Sequence, residues 1–124
     1  MTLKNKFAVI IGGATGIGNA ITRRFAREGC NLFITYHSNK GKLEAKELEK
    51  SLKEFNIKFY YESLDVLKKD KIKNFYKKVK NYSEKLDIAV NNAGVSNMKN
   101  FIDLTEEDWD FNMDVNAKGM FFCC

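Results

Sequence analysis

Apolar residues along the chain form short continuous runs that alternate with segments of helical periodicity. Four runs are predicted to be β-strands, because each is short, rich in β-branched or aromatic residues, and bounded by glycine or polar residues. The four predicted strands are residues 7–11, 31–36, 57–61 and 86–90. Near-continuous apolar runs of this kind are typical of a parallel sheet that is covered on both faces.

Apolar residues at spacings of three and four predict a helix after each strand. The apolar positions of these helices are Ile17, Ala20, Ile21 and Phe25; Leu48, Leu52 and Phe55 within residues 42–55; Ile72, Phe75, Tyr76, Val79 and Tyr82; and Trp109 with Met113. Gly29 ends the first helix, and Thr105 with Asp108 is a variant of the capping box that opens the fourth. The alternation predicts the α/β class: a doubly wound, Rossmann-type parallel sheet in the strand order 3-2-1-4, with helices on both faces.

The composition excludes several classes of protein. With 124 residues and 44% hydrophobic content, the chain suits one globular domain and is too short for two. The apolar run of residues 7–11 is too short for a signal peptide or a membrane span, so no membrane association is expected. Cys30, Cys123 and Cys124 form no CxxC pair and are odd in number, which favours a reducing, cytoplasmic location.

Charge and histidine content bear on two further kinds of partner. A net charge of +5 admits nucleic acid, but the lysines concentrate within residues 68–85, without interleaved arginine and aromatic residues. A solvated helix face is the favoured interpretation, and no nucleic-acid partner is predicted. His37, the single histidine, has no cysteine or histidine at metal-ligand spacing, so no metal site is predicted.

Three glycines, Gly12, Gly16 and Gly18, occupy the turn between the first predicted strand and the first predicted helix. In doubly wound folds the pyrophosphate of a dinucleotide binds at this turn, where glycine lets backbone N–H groups approach the phosphates. The N-terminus of the following helix adds partial positive charge. The spacing G-x-x-x-G-x-G differs from the G-x-G-x-x-G fingerprint, so glycines required only for packing are an open alternative.

Four short motifs occur in order along the chain: GGATGIG at 12–18, LDV at 64–66, NNAG at 91–94 and VNAKG at 115–119. Together they resemble the classical short-chain dehydrogenase/reductase family over essentially the whole chain. One departure is Ile11, where the family usually has threonine. The resemblance is closest in general to 3-oxoacyl-acyl-carrier-protein reductases and to polyol or sugar dehydrogenases.

The resemblance implies a role for each matched residue. The cofactor pyrophosphate would be held by Gly12, Thr15, Gly16, Ile17 and Gly18. Asp65 would accept a hydrogen bond from the adenine amino group beside the backbone of Val66. Asn92, Ala93 and Gly94 would line the ribose side of the cofactor and steady the fourth strand.

Asn116 matches the catalytic asparagine of the family, which positions a lysine and its water relay. Structural alternatives stay open for some of the matched residues: Asp65 could cap the following turn, and Asn91 and Asn92 could satisfy loop backbone groups. Asn116 is predicted to lie inside a helix, where asparagine has poor propensity, and this favours a functional reason for its presence.

The end of the second predicted strand, at Tyr36, His37 and Ser38, bears on the choice of nicotinamide cofactor. An NAD site usually has an acid there for the ribose 2′-hydroxyl, but no acid occurs between Glu28 and Glu44. Many family members that prefer NADP have Tyr-Arg-Ser at this point. NADP(H) is therefore the predicted cofactor, NAD(H) stays possible, and His37 could also be a loop residue without a cofactor role.

The chain lacks part of what the family requires. A complete dinucleotide fold has six strands, and only four are predicted. The catalytic serine and Tyr-x-x-x-Lys that the family places next do not follow; Tyr76 and Lys80 share the spacing but lie on the third predicted helix. Residues 1–124 are therefore expected to be the cofactor-binding part of one domain whose C-terminal half is missing.

The resemblance implies an NADP(H)-dependent oxidoreductase that interconverts a ketone and a secondary alcohol. Its partner would be a small-molecule carbonyl or alcohol, and the complete protein would be a homo-oligomer. The alternative is a non-catalytic nucleotide-binding or regulatory module. A serine segment and a Tyr-x-x-x-Lys encoded beyond codon 124 would favour the enzyme, and a genuine stop codon would favour the module.

Overall fold

The computed structural model describes residues 2–96 and 98–124, and four strands within them form one parallel sheet. The strands are β1 (Phe7–Ile11), β2 (Asn31–Tyr36), β3 (Phe59–Ser63) and β4 (Ile88–Asn91). Their order across the sheet is β3-β2-β1-β4, with every neighbouring pair parallel. The predicted doubly wound arrangement is confirmed.

Five α-helices connect or follow the strands. They are α1 (Gly16–Arg27), α2 (Asn39–Ser51), α3 (Lys69–Tyr82), α4 (Glu106–Met113) and α5 (Met120–Cys123). A π-helical segment, Asp114–Gly119, joins α4 to α5, and two short 3-10 turns lie at Lys53–Phe55 and Phe101–Asp103. None of the helices in the described residues is long and apolar enough to cross a membrane.

The central strand β1 is buried along its whole length because its side chains alternate between two apolar layers. Phe7, Val9 and Ile11 pack with residues of α3 and the segment that contains Val115. Ala8 and Ile10 pack with residues of α1 and α2 on the opposite face. Because all four strands are parallel, their carboxyl ends and the loops that follow them lie along one edge of the sheet.

The second helix begins earlier than predicted. It starts at Asn39 rather than at residue 42 and gives way to a 3-10 turn after Ser51. Ser38 is its N-cap, because the Ser38 hydroxyl accepts a hydrogen bond from the Gly41 N–H at 3.0 Å. The prediction relied on apolar spacing, whereas a capping hydroxyl decides where the helix begins.

The apolar face of α1 also differs from the prediction. Ile17 is 75% exposed and Ala20 is exposed as well. The fully buried face is formed by Gly18, Thr22 and Ala26, which are smaller and allow the helix to lie close to the sheet. Three- and four-residue spacing identified the helix correctly, but it assigned two of the four predicted apolar-face positions to the wrong side.

The outer strands are shifted by two residues or fewer from the predicted bounds. β3 begins at Phe59 rather than 57, after Asn56 adopts a left-handed conformation with φ 50°. β4 begins at Ile88 rather than 86, because Asp87 instead accepts a hydrogen bond from the Phe7 N–H at 2.9 Å. Both strands are only partly buried because they lie at the edges of the sheet.

Candidate functional site

A cleft follows the carboxyl ends of the strands, and it has two connected parts. The first, termed the groove, has a volume of about 310 Å³ and lies between the glycine turn and the segments after β2 and β4. The second, termed the cavity, has a volume of about 120 Å³ and lies between the ends of β2 and β3 and helix α4. Gly12, Thr35, Tyr36, His37 and Ala93 border both parts.

The glycine turn, residues 12–18, comprises the loop after β1 and the first turn of α1, and its start is held by hydrogen bonds from neighbouring elements. The N–H of Gly12 donates to Thr35 Oγ1 at 3.1 Å, and the N–H of Gly13 donates to the Thr35 carbonyl oxygen at 3.0 Å. Thr22 Oγ1 donates to the Gly13 carbonyl at 2.8 Å. Gly12 itself has φ +76°, a conformation that glycine adopts without steric cost.

The glycines of this turn meet different surroundings. A Cβ added to Gly18 would overlap the carbonyl oxygen of Gly12 and lie 2.6 Å from Asn92 Nδ2. A Cβ on Gly12 would lie 3.0 Å from the backbone of Ala93. Gly16 has φ +53°, and a Cβ there would have no atom within 4 Å. Packing therefore requires glycine at positions 12 and 18, whereas Gly16 borders open space.

The N-terminus of α1 is open toward that space. Thr15 occupies the N-cap position, but its side chain makes no capping hydrogen bond, and the first turn of the helix contains no acidic residue. The first backbone N–H groups of a helix have no partner within the helix. Together with the partial positive charge at this end, they form an anion-binding arrangement.

The end of β4 is tied to the glycine turn by Asn92. Its side-chain Nδ2 donates to the Gly12 carbonyl at 3.1 Å, and its backbone N–H donates to the Ile11 carbonyl at 3.1 Å. The Asn92 side chain therefore satisfies a loop backbone group, which is the structural alternative that the sequence left open. Ala93 and Gly94 follow directly and line the groove.

Asn116 forms two hydrogen bonds with one residue, Val95. Its Nδ2 donates to the Val95 carbonyl at 2.8 Å, and its Oδ1 accepts from the Val95 N–H at 2.7 Å. A Cβ on Gly94 would lie 3.2 Å from the same Oδ1, so glycine at 94 permits the close approach. Asn116 thus joins the helical segment after α4 to the loop that lines the groove.

The segment that carries Asn116 is π-helical, as local widenings at functional sites often are. Val115 and Gly119 are its buried residues. A Cβ on Gly119 would lie 3.0 Å from both the carbonyl oxygen and Cγ2 of Val66. Contact with Val66, in the segment after β3, therefore fixes the position of the π-helical segment.

Tyr36, His37 and Ser38 all line the groove at the end of β2. Ser38 caps α2, while the exposed His37 imidazole has its Nε2 3.9 Å from Asp65 Oδ2. The first turn of α2 contains no acid, and Lys40 lies within it. The end of β2 therefore presents the N-terminus of α2 and the His37 imidazole to the groove.

Asp65 and Val66 line the cavity. Asp65 Oδ1 accepts a hydrogen bond from the Leu67 N–H at 2.9 Å, so the predicted alternative of a turn cap is realised by one oxygen. The second oxygen faces His37 at a distance longer than a hydrogen bond. One acceptor oxygen of the carboxylate is thus left for another donor.

Neither a catalytic Tyr-x-x-x-Lys pair nor a metal cluster lies at the cleft in the described residues. Tyr76 is on α3, and its buried hydroxyl has no hydrogen-bond partner there. Burial raises the pKa of Tyr76 to about 12, the wrong direction for a tyrosine that exchanges protons near neutrality. No group of three or more His, Cys, Asp or Glu that could hold a metal ion occurs in residues 2–96 and 98–124.

Comparison with known proteins decides the family. A model described as short chain dehydrogenase matches residues 6–124. The chain belongs to the short chain dehydrogenase family. The resemblance carried by the four motifs is confirmed.

Three relatives illustrate the match. The 3-oxoacyl-acyl-carrier-protein reductase FabG of Staphylococcus epidermidis is 33% identical over 119 residues, which is 96% of this chain and 48% of that protein. The solved structure of a blue fluorescent protein from a metagenomic library in complex with NADPH has a TM-score of 0.89 at 27% identity, over 99% of this chain and 50% of that one. The solved structure of a Burkholderia cenocepacia dehydrogenase with bound NADP has a TM-score of 0.89 at 28% identity, over 98% of this chain and 46% of that one.

The chain spans about half the length of the curated relatives it matches. Within that half, the structure brings together the glycine turn, the end of β2, the LDV segment and the NNAG segment, all of which line the groove or the cavity. Asn116 is joined to this short chain dehydrogenase site through Val95.

The residues of the site that the sequence did not predict include Thr35, Val95 and Phe111. Thr35 is 2% exposed in a strand of apolar neighbours, and a polar residue there is a signal that some backbone group needs its hydroxyl. Val95 takes part through its backbone, which no side-chain pattern reveals. Phe111 lines the cavity from α4, and its position depends on how that helix packs.

Proposed function

We propose that this chain is the cofactor-binding part of an NADP(H)-dependent oxidoreductase that interconverts a ketone and a secondary alcohol. The observation that carries the proposal is the uncapped N-terminus of α1, which borders the open space beside Gly16 at the carboxyl edge of the sheet. A dinucleotide pyrophosphate is the ligand that doubly wound folds bind at such a position.

The residues around this point divide between the parts of the cofactor. Gly12, Thr15, Gly16, Ile17 and Gly18 would hold or border the pyrophosphate. Asn92, Ala93 and Gly94 would line the ribose side of the groove. Asp65 and Val66 would contact the adenine from the cavity, where the carboxylate has an acceptor oxygen available.

The preference for NADP(H) is supported by the charges at the end of β2. Nothing acidic belongs to the first turn of α2, and the helix N-terminus, Lys40 and the His37 imidazole can all receive a 2′-phosphate. Two of the solved relatives hold NADPH or NADP. Tyr36 and Ser38 would border the same phosphate.

When bound, the cofactor would supply or accept a hydride. The carbonyl oxygen also needs a proton, which in the family comes from a tyrosine whose pKa is lowered by a lysine. Asn116 would act as a positioning residue for that lysine, since its side chain is already fixed by Val95. The substrate would be a small carbonyl or alcohol, and the complete protein would be a homo-oligomer. Membership of the family does not favour the regulatory module.

The test is NADPH binding by calorimetry in two matched glycine variants. Gly16→Ala and Gly29→Ala both place a side chain at positive φ, +53° and +81° respectively, and should destabilise the fold similarly, by about 1–2 kcal/mol. Gly16 directly follows Thr15, which lines the groove, whereas Gly29 follows the opposite end of α1. We expect Gly16→Ala to weaken NADPH binding by about tenfold or more, the equivalent of one lost hydrogen bond to a charged group. No NADPH binding by the unsubstituted chain, or equal binding by the two variants, would refute the proposal.

The cofactor preference has its own test. His37→Asp places a carboxylate beside the 2′-phosphate position and close to Asp65, so NADPH should bind more weakly while NADH gains a partner for its ribose hydroxyls. We expect the NADPH-to-NADH affinity ratio to fall by about tenfold, and His37→Gln to change it less. An unchanged ratio in His37→Asp would show that this side chain does not face the phosphate.

A further inference from the structure

One face of the last helical region carries three residues at intervals of four: Phe111, Val115 and Gly119. Gly119 lies against the backbone of Val66, and Val115 is 6% exposed within the apolar layer between the sheet and α3. Phe111 continues this face beyond the layer and is 41% exposed. Its ring lines the cavity instead of the core.

The chemistry of the cavity suits a flat aromatic group with a hydrogen-bond donor at its edge. Leu64, Val66 and Val95 provide apolar walls, and Asp65 provides the available acceptor oxygen. A volume of about 120 Å³ is below that of a site for a whole drug-sized ligand, so it holds only part of a dinucleotide. Adenine, with its exocyclic amino group, has these properties.

We propose that Phe111 is a further cofactor-binding residue of this site, whose ring packs against the adenine of the cofactor. The inference rests on the proposed function, because it assumes that a dinucleotide occupies the cleft. The ring would lose its exposure when the base binds, and aromatic rings gain from contact with bases of any identity. No motif of the chain marks Phe111, which reaches the cavity only because Val115 and Gly119 fix the rotation of the helix.

The experiment measures binding of NADPH and of 5′-AMP by calorimetry in a series at position 111. Phe111→Ala removes the ring, Phe111→Leu keeps apolar volume without aromaticity, and Phe111→Tyr keeps the ring. Phe121→Ala is the matched control, because Phe121 is 72% exposed on α5 and does not line the cavity. Thermal unfolding of each variant verifies that the fold is retained.

We expect Phe111→Ala to bind both ligands about tenfold more weakly, Phe111→Leu to recover part of the loss, and Phe111→Tyr to bind nearly as the unsubstituted chain does. Phe121→Ala should bind normally. If the unsubstituted chain binds NADPH, and Phe111→Ala and Phe111→Leu bind it as tightly as the unsubstituted chain does, this inference is wrong and the proposed function stands. If the unsubstituted chain binds neither ligand, the proposed function itself fails.

Discussion

The glycine turn, residues 12–18, and the β4–α4 side, residues 88–123, border the same cleft but are held in different ways. In the glycine turn the peptide groups are bonded to Thr35 and Thr22, and added side-chain atoms at two of its glycines would collide with backbone. The β4–α4 side exposes large apolar side chains instead. The most exposed of these, above 60%, are Met98, Phe101, Ile102, Trp109 and Phe121.

This contrast separates two kinds of constraint. Close packing within the chain makes the glycine turn intolerant of any side chain at two positions. On the β4–α4 side, Asn92 and Asn116 bond to backbone groups and Val115 and Gly119 are buried, while many large apolar side chains stay exposed. Phe101, Ile102 and Trp109 line one surface pocket of this side, so these large apolar side chains are exposed together rather than singly.

The largest expected effect is at the glycine turn. Gly18→Val should lower the free energy of unfolding by about 3 kcal/mol or more, because its Cβ would overlap the Gly12 carbonyl. The sequence left phosphate binding and packing open as reasons for this glycine, and the contact with the Gly12 carbonyl makes it a packing residue. Urea unfolding of Gly18→Val beside Gly16→Ala tests the difference, and equal stabilities would remove the contrast between the two glycines.

The second effect concerns the connection between the π-helical segment that carries Asn116 and the loop that carries Val95, both on the β4–α4 side. Asn116→Ala removes both hydrogen bonds to Val95 and should cost about 2 kcal/mol. The amide of Val95 should also exchange with solvent faster. Asn112→Ala is the control, because the Asn112 side chain bonds only the Asp108 carbonyl of its own helix. Unchanged exchange at Val95 would show that Asn116 does not hold the loop.

The fold was largely predictable because its signals are local. The order of four strands and four helices follows from apolar runs and from spacing, which survive whatever the tertiary contacts are. The start of α2 was missed because a single hydroxyl, that of Ser38, decides it. The buried side of α1 was misjudged because Gly18 and Thr22, and not the more apolar Ile17 and Ala20, are buried.

The site was predictable where a motif carries it and not where packing does. Of the residues that the motifs marked, Gly12, Thr15, Asp65 and the end of β2 line the cleft, whereas Gly16 and Gly18 do not. The pairing of Asn116 with Val95 and the position of Phe111 depend on how α4 and the π-helical turn lie against Val66, which no spacing in the sequence encodes.

The third effect tests the open edge of β4. Within the described residues, β4 pairs only with β1, and Ala89 is exposed. Unpaired strand edges promote association, so the 124-residue chain should self-associate in sedimentation experiments. Ala89→Lys should weaken this by about 1 kcal/mol, the size of one cross-strand pair. Ala20→Lys adds the same charge on the exposed face of α1 and should leave the self-association unchanged. If the unsubstituted chain is monomeric, the prediction is contradicted.

The smallest effect concerns the start of α4, where the capping box is formed as predicted from Thr105 and Asp108. The Thr105 N–H and Lys99 hold the pKa of Asp108 at about 2, below its usual 3.8. A carboxylate with a lowered pKa contributes stability above its unfolded pKa and loses that contribution as the pH falls through its folded pKa. Asp108→Asn should therefore be less stable than the unsubstituted chain above about pH 4, and the difference should shrink toward pH 2. Asp110→Asn removes a charge from the same helix without removing the capping bonds. If both variants showed the same pH dependence of stability, the loss of a negative charge, and not the loss of the capping hydrogen bonds, would explain the effect.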